Sequence, residues 1–120
     1  MCTGTNTNSF LNMIIDSSEI MQTIESAVCD SVNVVHGEAA VSVDEIYTGN
    51  GNIPYPKATA RNIVFDILHN FCGFSYAVIA QRANFSRNAV VKCVCKSHKA
   101  KQYDPSYLSV YNDAVKKIVG

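Results

Sequence analysis

Three polar stops, Ser75, Ser86 and Asp104-Pro105, punctuate the second half of the chain, and the apolar residues between them recur at helical spacing. A serine or aspartate just before such a run can accept hydrogen bonds from the free amides of a helix's first turn, so each stop reads as an N-cap. Ser75 then opens a short helix over Tyr76 to Ala83, with Val78, Ile79 and Ala83 inward. Asn84 tolerates a left-handed turn. Ser86 opens a longer helix running to about Lys101, anchored inward by Val90 with Val94 or Cys93. Asp104-Pro105-Ser106 opens the last helix, with Leu108, Tyr111, Val115 and Ile118 on one face.

Upstream the same periodicity holds. Phe10, Leu11, Ile14, Ile15, Met21, Ile24, Val28 and Val32 follow a helical pattern, which Ser17-Ser18-Glu19 either interrupts or re-caps. Asn33 to Ala40 reads as a loop, and Val41 to Ile46 as a helical turn. Residues 48–57 carry two glycines and two prolines, so no helix is expected there. Thr59 is the expected N-cap of the next helix, whose inward stripe is Ile63, Val64, Ile67, Leu68 and Phe71, and Gly73 ends it. Strand-like alternation never lasts more than a few positions. The expected fold is therefore all-α: a small helical bundle over residues 10–120 behind a flexible segment 1–9, with a helix-turn-helix at about 75–101.

The 120 residues suffice to bury a core without metal or disulfide staples. An apolar share of 48% against 17% charged excludes a disordered chain, and no apolar run approaches a membrane span. The five cysteines are odd in number and form no CxxC pair. Cys93 and Cys95 sit two apart on a helix and point to different sides, so the expectation is reduced thiols, no metal site and a cytoplasmic protein. His36, His69 and His98 are scattered. No nucleophile beside a base and no phosphate-binding GxxxxGK[ST] loop occurs, so the chain reads as non-enzymatic and without a cofactor.

Zero net charge hides a strong asymmetry. Residues 1–56 hold seven acids and no Lys or Arg, whereas residues 57–120 hold all ten bases and three acids. The halves carry −7 and +7. Such asymmetry points to a nucleic-acid-facing half, with mutual attraction of the halves inside the fold as the structural alternative. In the basic half, Ala80 is small where two helices would cross. Phe85 would plug the core beneath the turn. Ser86, Arg87, Asn88, Val91 and Lys92 would face a duplex, because arginine reads guanine and asparagine reads adenine in the major groove. Lys96 and Lys99 suit phosphates, as do Arg82 and the capped helix start at Ser75. The expected partner is double-stranded DNA, with a second copy of the chain or another protein docking on the acidic half. Tyr103, Tyr107 and Tyr111 would form a stripe over the last helix.

These residues resemble the C-terminal DNA-binding domain of the bacterial replication initiator DnaA, a Trp-repressor-like helix-turn-helix fold. Ala60-Arg61-Asn62-Ile63 through Leu68 resembles that family's Arg-led helix. Gly73-Phe74-Ser75-Tyr76-Ala77-Val78-Ile79-Ala80 resembles its Gly-x-Ser-x-x-x-Ile motif, and Val41 to Ile46 its upstream Val-x-x-x-x-Leu stretch. The likeness spans about residues 20–118 as pattern more than identity. It implies a DNA-facing helix, with Lys57 and Arg61 as phosphate contacts, in a small regulator or a replication- or mobile-element-associated protein at the nucleoid. Two departures accompany it. The family's basic loop is replaced here by Thr48 to Pro56 without a single base, and its Arg-Asp-His-Thr-Thr-Val signature by Asn84 to Val91. Origin-box recognition is therefore not implied, and the same fold kept as a protein-interaction module is the alternative.

Overall fold

The computed structural model describes residues 2–37, 40–49 and 53–120, with side chains from Ser17 onward. Among the described residues five α-helices follow one another: α1 (Cys2–His36), α2 (Tyr55–Asp66), α3 (Tyr76–Ala83), α4 (Arg87–Tyr103) and α5 (Pro105–Val119). No strand occurs among the described residues, so the class is all-α. Residues 1–9, expected to be a flexible segment, have no described side chains.

α2 is the central helix. Ala60, Ile63, Val64 and Phe65, with Ile67 and Leu68 just beyond its end, are all fully buried, and a helix apolar on several sides has to be covered on several sides. α1 covers it with Met21, Ile24, Val28 and Val32, the second half of the expected stripe. α4 covers it with Val90 and Val94, and α5 packs on α1 and α4 through Tyr107, Val110 and Ala114. Each large aliphatic or aromatic side chain so buried contributes about 1.5–3 kcal/mol.

Several expectations change. α1 runs unbroken through Ser17-Ser18-Glu19 and on to His36, with Gly37 at φ 109° ending it. α2 begins at Tyr55 rather than after Thr59. Pro54 stands at its N-cap and Pro56 in its first turn, where a missing amide hydrogen costs nothing, and Thr59 lies buried inside the helix. Residues 50–52 of the expected turn lie outside the described residues. Beyond Asp66 the helix widens into a π turn, Ile67–Phe71, closed by the Cys72 amide on the Ile67 carbonyl at 3.0 Å. The extra residue in that turn shifts the phase of the helix, and Phe71, expected inward, is 51% exposed. Gly73, at φ 81°, ends the segment as expected.

In α3 the buried positions are Ile79, Ala80 and Ala83, while Val78 is 44% exposed. The inward face of α5 is centred on Tyr107, Val110 and Ala114, which are buried; the expected Tyr111, Val115 and Ile118 pack half-buried at its edge, and only Leu108 of the expected face is exposed. Asp104 interrupts the tyrosine series between helices, leaving Tyr103 on the surface and Tyr107 in the core.

Two buried carboxylates cross-link the helices. Asp66 of α2 accepts from Ser97 Oγ at 2.7 Å and from Asn70 Nδ2 at 2.8 Å, and pairs with Lys101 Nζ at 2.8 Å. Tyr107 donates to Ser97 at 2.6 Å, bringing α5 into the same network. Burial alone would lower the Lys101 ammonium, but its hydrogen bond to Asp66 and that carboxylate's charge hold it above its ordinary value. Glu25 of α1, 2% exposed, receives both arms of the Arg82 guanidinium at 2.8 Å and the Tyr47 hydroxyl. Burial, with the Glu25 charge adding, raises the Tyr47 phenol above its ordinary value.

Candidate nucleic-acid interface

The α3–α4 corner is set by local chemistry. Ser75 Oγ accepts from the Val78 amide at 3.2 Å, and Ser86 Oγ accepts from the Ala89 amide at 3.1 Å, so both serines cap as expected. Asn84 sits at φ 59°, ψ 43°, the left-handed conformation that an asparagine tolerates. There the Phe85 amide bonds the Ala80 carbonyl at 2.9 Å and the Asn84 amide bonds Gln81 at 3.4 Å, the two-bond closure of a helix C-terminus. Three residues thus turn the chain from α3 into α4.

Phe85 plugs the space beneath this turn. Its ring meets Phe65 edge-on with centroids 5.6 Å apart, and Tyr47 stacks on Phe65 at 5.6 Å. Arg61 locks the same spot. Its Nε donates to the Ile46 carbonyl at 3.0 Å, one terminal nitrogen donates to the Thr48 carbonyl at 2.7 Å, and the guanidinium lies 4.7 Å from the Phe85 ring centre. Burial lowers the Arg61 pKa from its ordinary value.

The expected contact residues divide accordingly. Arg87, Asn88, Lys92, Lys96 and Lys99 are exposed on α4, and Val91 is half-buried. α4 contains no acid, and none of these four cations meets a carboxylate among the described residues. Asn88, Lys92 and Lys99 share one outward stripe with Cys95, which sequence reasoning missed although the spacing of four, three and four residues shows it. Lys57 is half-buried and donates to Thr48 Oγ1 at 2.8 Å. Ser75 is exposed at the start of α3.

Two expected phosphate contacts lie away from the outward face of α4. Arg61 is only 7% exposed and two of its nitrogens are spent on backbone carbonyls, so it is a buried clamp rather than a surface cation. Arg82 is committed to Glu25 across the α1–α3 contact. That pair is attraction between the acidic and basic halves inside the fold, and both halves of the charge asymmetry therefore have partial structural outlets. α1 nonetheless packs on α5 and α2, and α4 packs on α2, α3 and α5, so the acidic helix does not roof the basic stripe.

Cys29, Cys72, Cys93 and Cys95 are free thiols, and burial, with Asp30 and Glu25 adding, pushes Cys29 up to about 11. No group of three or more His, Cys, Asp or Glu residues able to hold a metal occurs among the described residues, and none of the described helices is long and apolar enough to cross a membrane. No protein-family model, curated protein or solved structure matches the chain.

Proposed function

We propose that the chain binds double-stranded DNA through a helix-turn-helix made by α3 and α4, with α4 as the recognition helix. The observation that carries this reading is the outward face of α4, where Arg87, Lys92, Lys96 and Lys99 are exposed and without a carboxylate partner among the described residues. A solvated cation costs little to leave on a surface, but four on one acid-free helix give the field that draws a polyanion. Arg87, Asn88 and Lys92, near the start of α4 behind the Ser86 cap, are the base readers. Lys96 and Lys99 hold phosphates. Arg61 supports this surface from beneath, by holding the 46–48 loop and Phe85 against the turn.

The resemblance to the DnaA C-terminal domain and the Trp-repressor-like superfamily supports the same reading. It fits a non-enzymatic regulator or a replication- or mobile-element-associated protein acting at the nucleoid. A reader of this size presents one recognition helix and gains useful affinity from a dimer or a tethered partner.

The test is fluorescence anisotropy against a pool of random duplexes over a range of salt. Micromolar binding is expected, with a log–log salt slope of about −3 to −6, as several phosphate contacts require. In a selected sequence Arg87→Ala relaxes base preference at a cost of about 1–3 kcal/mol, whereas Lys99→Ala weakens all sequences alike and reduces the slope by about one. An absence of binding at low salt would remove the DNA reading and leave a helical protein-interaction module.

A further inference from the structure

Between the 46–49 loop and α4 lies a cleft of about 650 Å³. Tyr47 and Phe85 form part of its wall, and Arg61, Ser86, Lys92 and Lys96 supply its polar groups. No Asp or Glu lines it among the described residues. Arg61, Lys92 and Lys96 meet at this cleft, and none of the three has a carboxylate partner among the described residues. Walls of low dielectric focus such a field into the cleft.

Arg61 gives the cleft its depth. The residue is 93% buried, and two of its guanidinium nitrogens are bound to the Ile46 and Thr48 carbonyls. The remaining terminal nitrogen has no acceptor among the described residues. No unpartnered nitrogen among them is closed off from solvent, and Arg61 lines the cleft. The backbone bonds fix the plane of the guanidinium, and a pre-set fork loses little freedom on binding an oxyanion. Ser86 uses its Oγ as an acceptor for the helix amide and keeps its hydroxyl hydrogen to donate.

We infer that this cleft binds a phosphate group, with Arg61 at its floor, Lys92 and Lys96 at its rim and Ser86 donating from the turn. The inference deepens the DNA reading if the phosphate belongs to the duplex backbone, and stands apart from it if the phosphate comes from a small free ligand.

The experiment titrates the full chain with inorganic phosphate and with adenosine 5′-monophosphate at constant ionic strength, followed by amide NMR shifts. Saturable shifts are expected around Ser86 and Lys96. Lys96→Gln is expected to weaken binding about fivefold, the loss of one charge-assisted hydrogen bond, and Lys116→Gln, exposed on α5 outside the cleft, by less than about twofold. Non-saturable shifts, or equal weakening by the two variants, would overturn the inference. A duplex without terminal phosphates then separates the sources. Competition between duplex and the monophosphate assigns the site to the DNA backbone, and simultaneous binding assigns it to a free ligand. If the monophosphate binds and no duplex does at low salt, the cleft stands and the DNA reading falls. If the duplex binds and neither phosphate saturates, the DNA reading stands and the cleft falls.

Discussion

The cations of this protein occupy two kinds of place. Arg82 and Lys101 reach inward to buried carboxylates, Glu25 and Asp66, and cross-link helices. Arg87, Lys92, Lys96 and Lys99 stand on α4 with no carboxylate partner among the described residues. The difference teaches that net charge per half is a poor guide to a surface field. The first group contributes to the +7 of the basic half and does structural service, whereas the second stands exposed on the surface of α4. Removing a member of the first group should damage stability, and removing a member of the second should damage binding alone.

The largest expected effect is at Asp66. Asp66→Ala strands Lys101 and leaves Ser97 and Asn70 short of their acceptor, a loss of about 3–5 kcal/mol for a buried ion pair broken on one side. Urea denaturation reads it, and a change below about 1 kcal/mol would show that the network is not a structural tie. Arg82→Ala should cost less, about 2 kcal/mol, because Arg82 is partly solvated while Glu25 keeps the Tyr47 hydroxyl. It should leave the salt slope of DNA binding unchanged. A reduced slope would move Arg82 into the second group.

Alkaline titration probes the same buried region. Cys29 keeps its proton in the folded protein up to about 11, against 9.0 for a free thiol, and burial likewise raises the Tyr47 and Tyr107 phenols. In each case the folded state holds the proton longer than the unfolded chain. Their stabilising contribution is therefore complete below pH 9 and is lost as pH rises toward and through 11. The urea midpoint should be flat from about pH 7 to 8.5 and fall beyond it; an unchanged midpoint at about pH 10.5 would contradict the burial of these groups. The smallest effect is Lys99→Ala, expected to shift stability by no more than about 0.5 kcal/mol while weakening DNA. A larger loss of stability would erase the distinction between the two groups.

The end points of the last three helices were legible because caps act over a few residues. Ser75, Ser86 and Asp104 each accept from an amide two or three positions on, and Asn84 takes its left-handed turn from its own side-chain chemistry. The all-α class, the inward stripe of α1 from Met21 to Val32, and the anchors Val90 and Val94 followed from periodicity in the same way. Missed were the start of α2, where two prolines read as breakers although one sits where helices accept it, and the outward turn of Phe71, which one extra residue in a π turn produces.

Residue order alone therefore determined the helical class, the tight α3–α4 corner and the cations carried by α4. Tertiary structure decided which cations remain free. Arg82 meets Glu25 across 57 residues and Arg61 meets the Ile46 and Thr48 carbonyls across 15 and 13, contacts that no local spacing encodes. It also created the cleft, since Arg61, the 46–49 loop and α4 come from three separate stretches of chain. Capping and periodicity act within a turn or two of helix, whereas the pairing of a charge depends on everything that folding brings beside it.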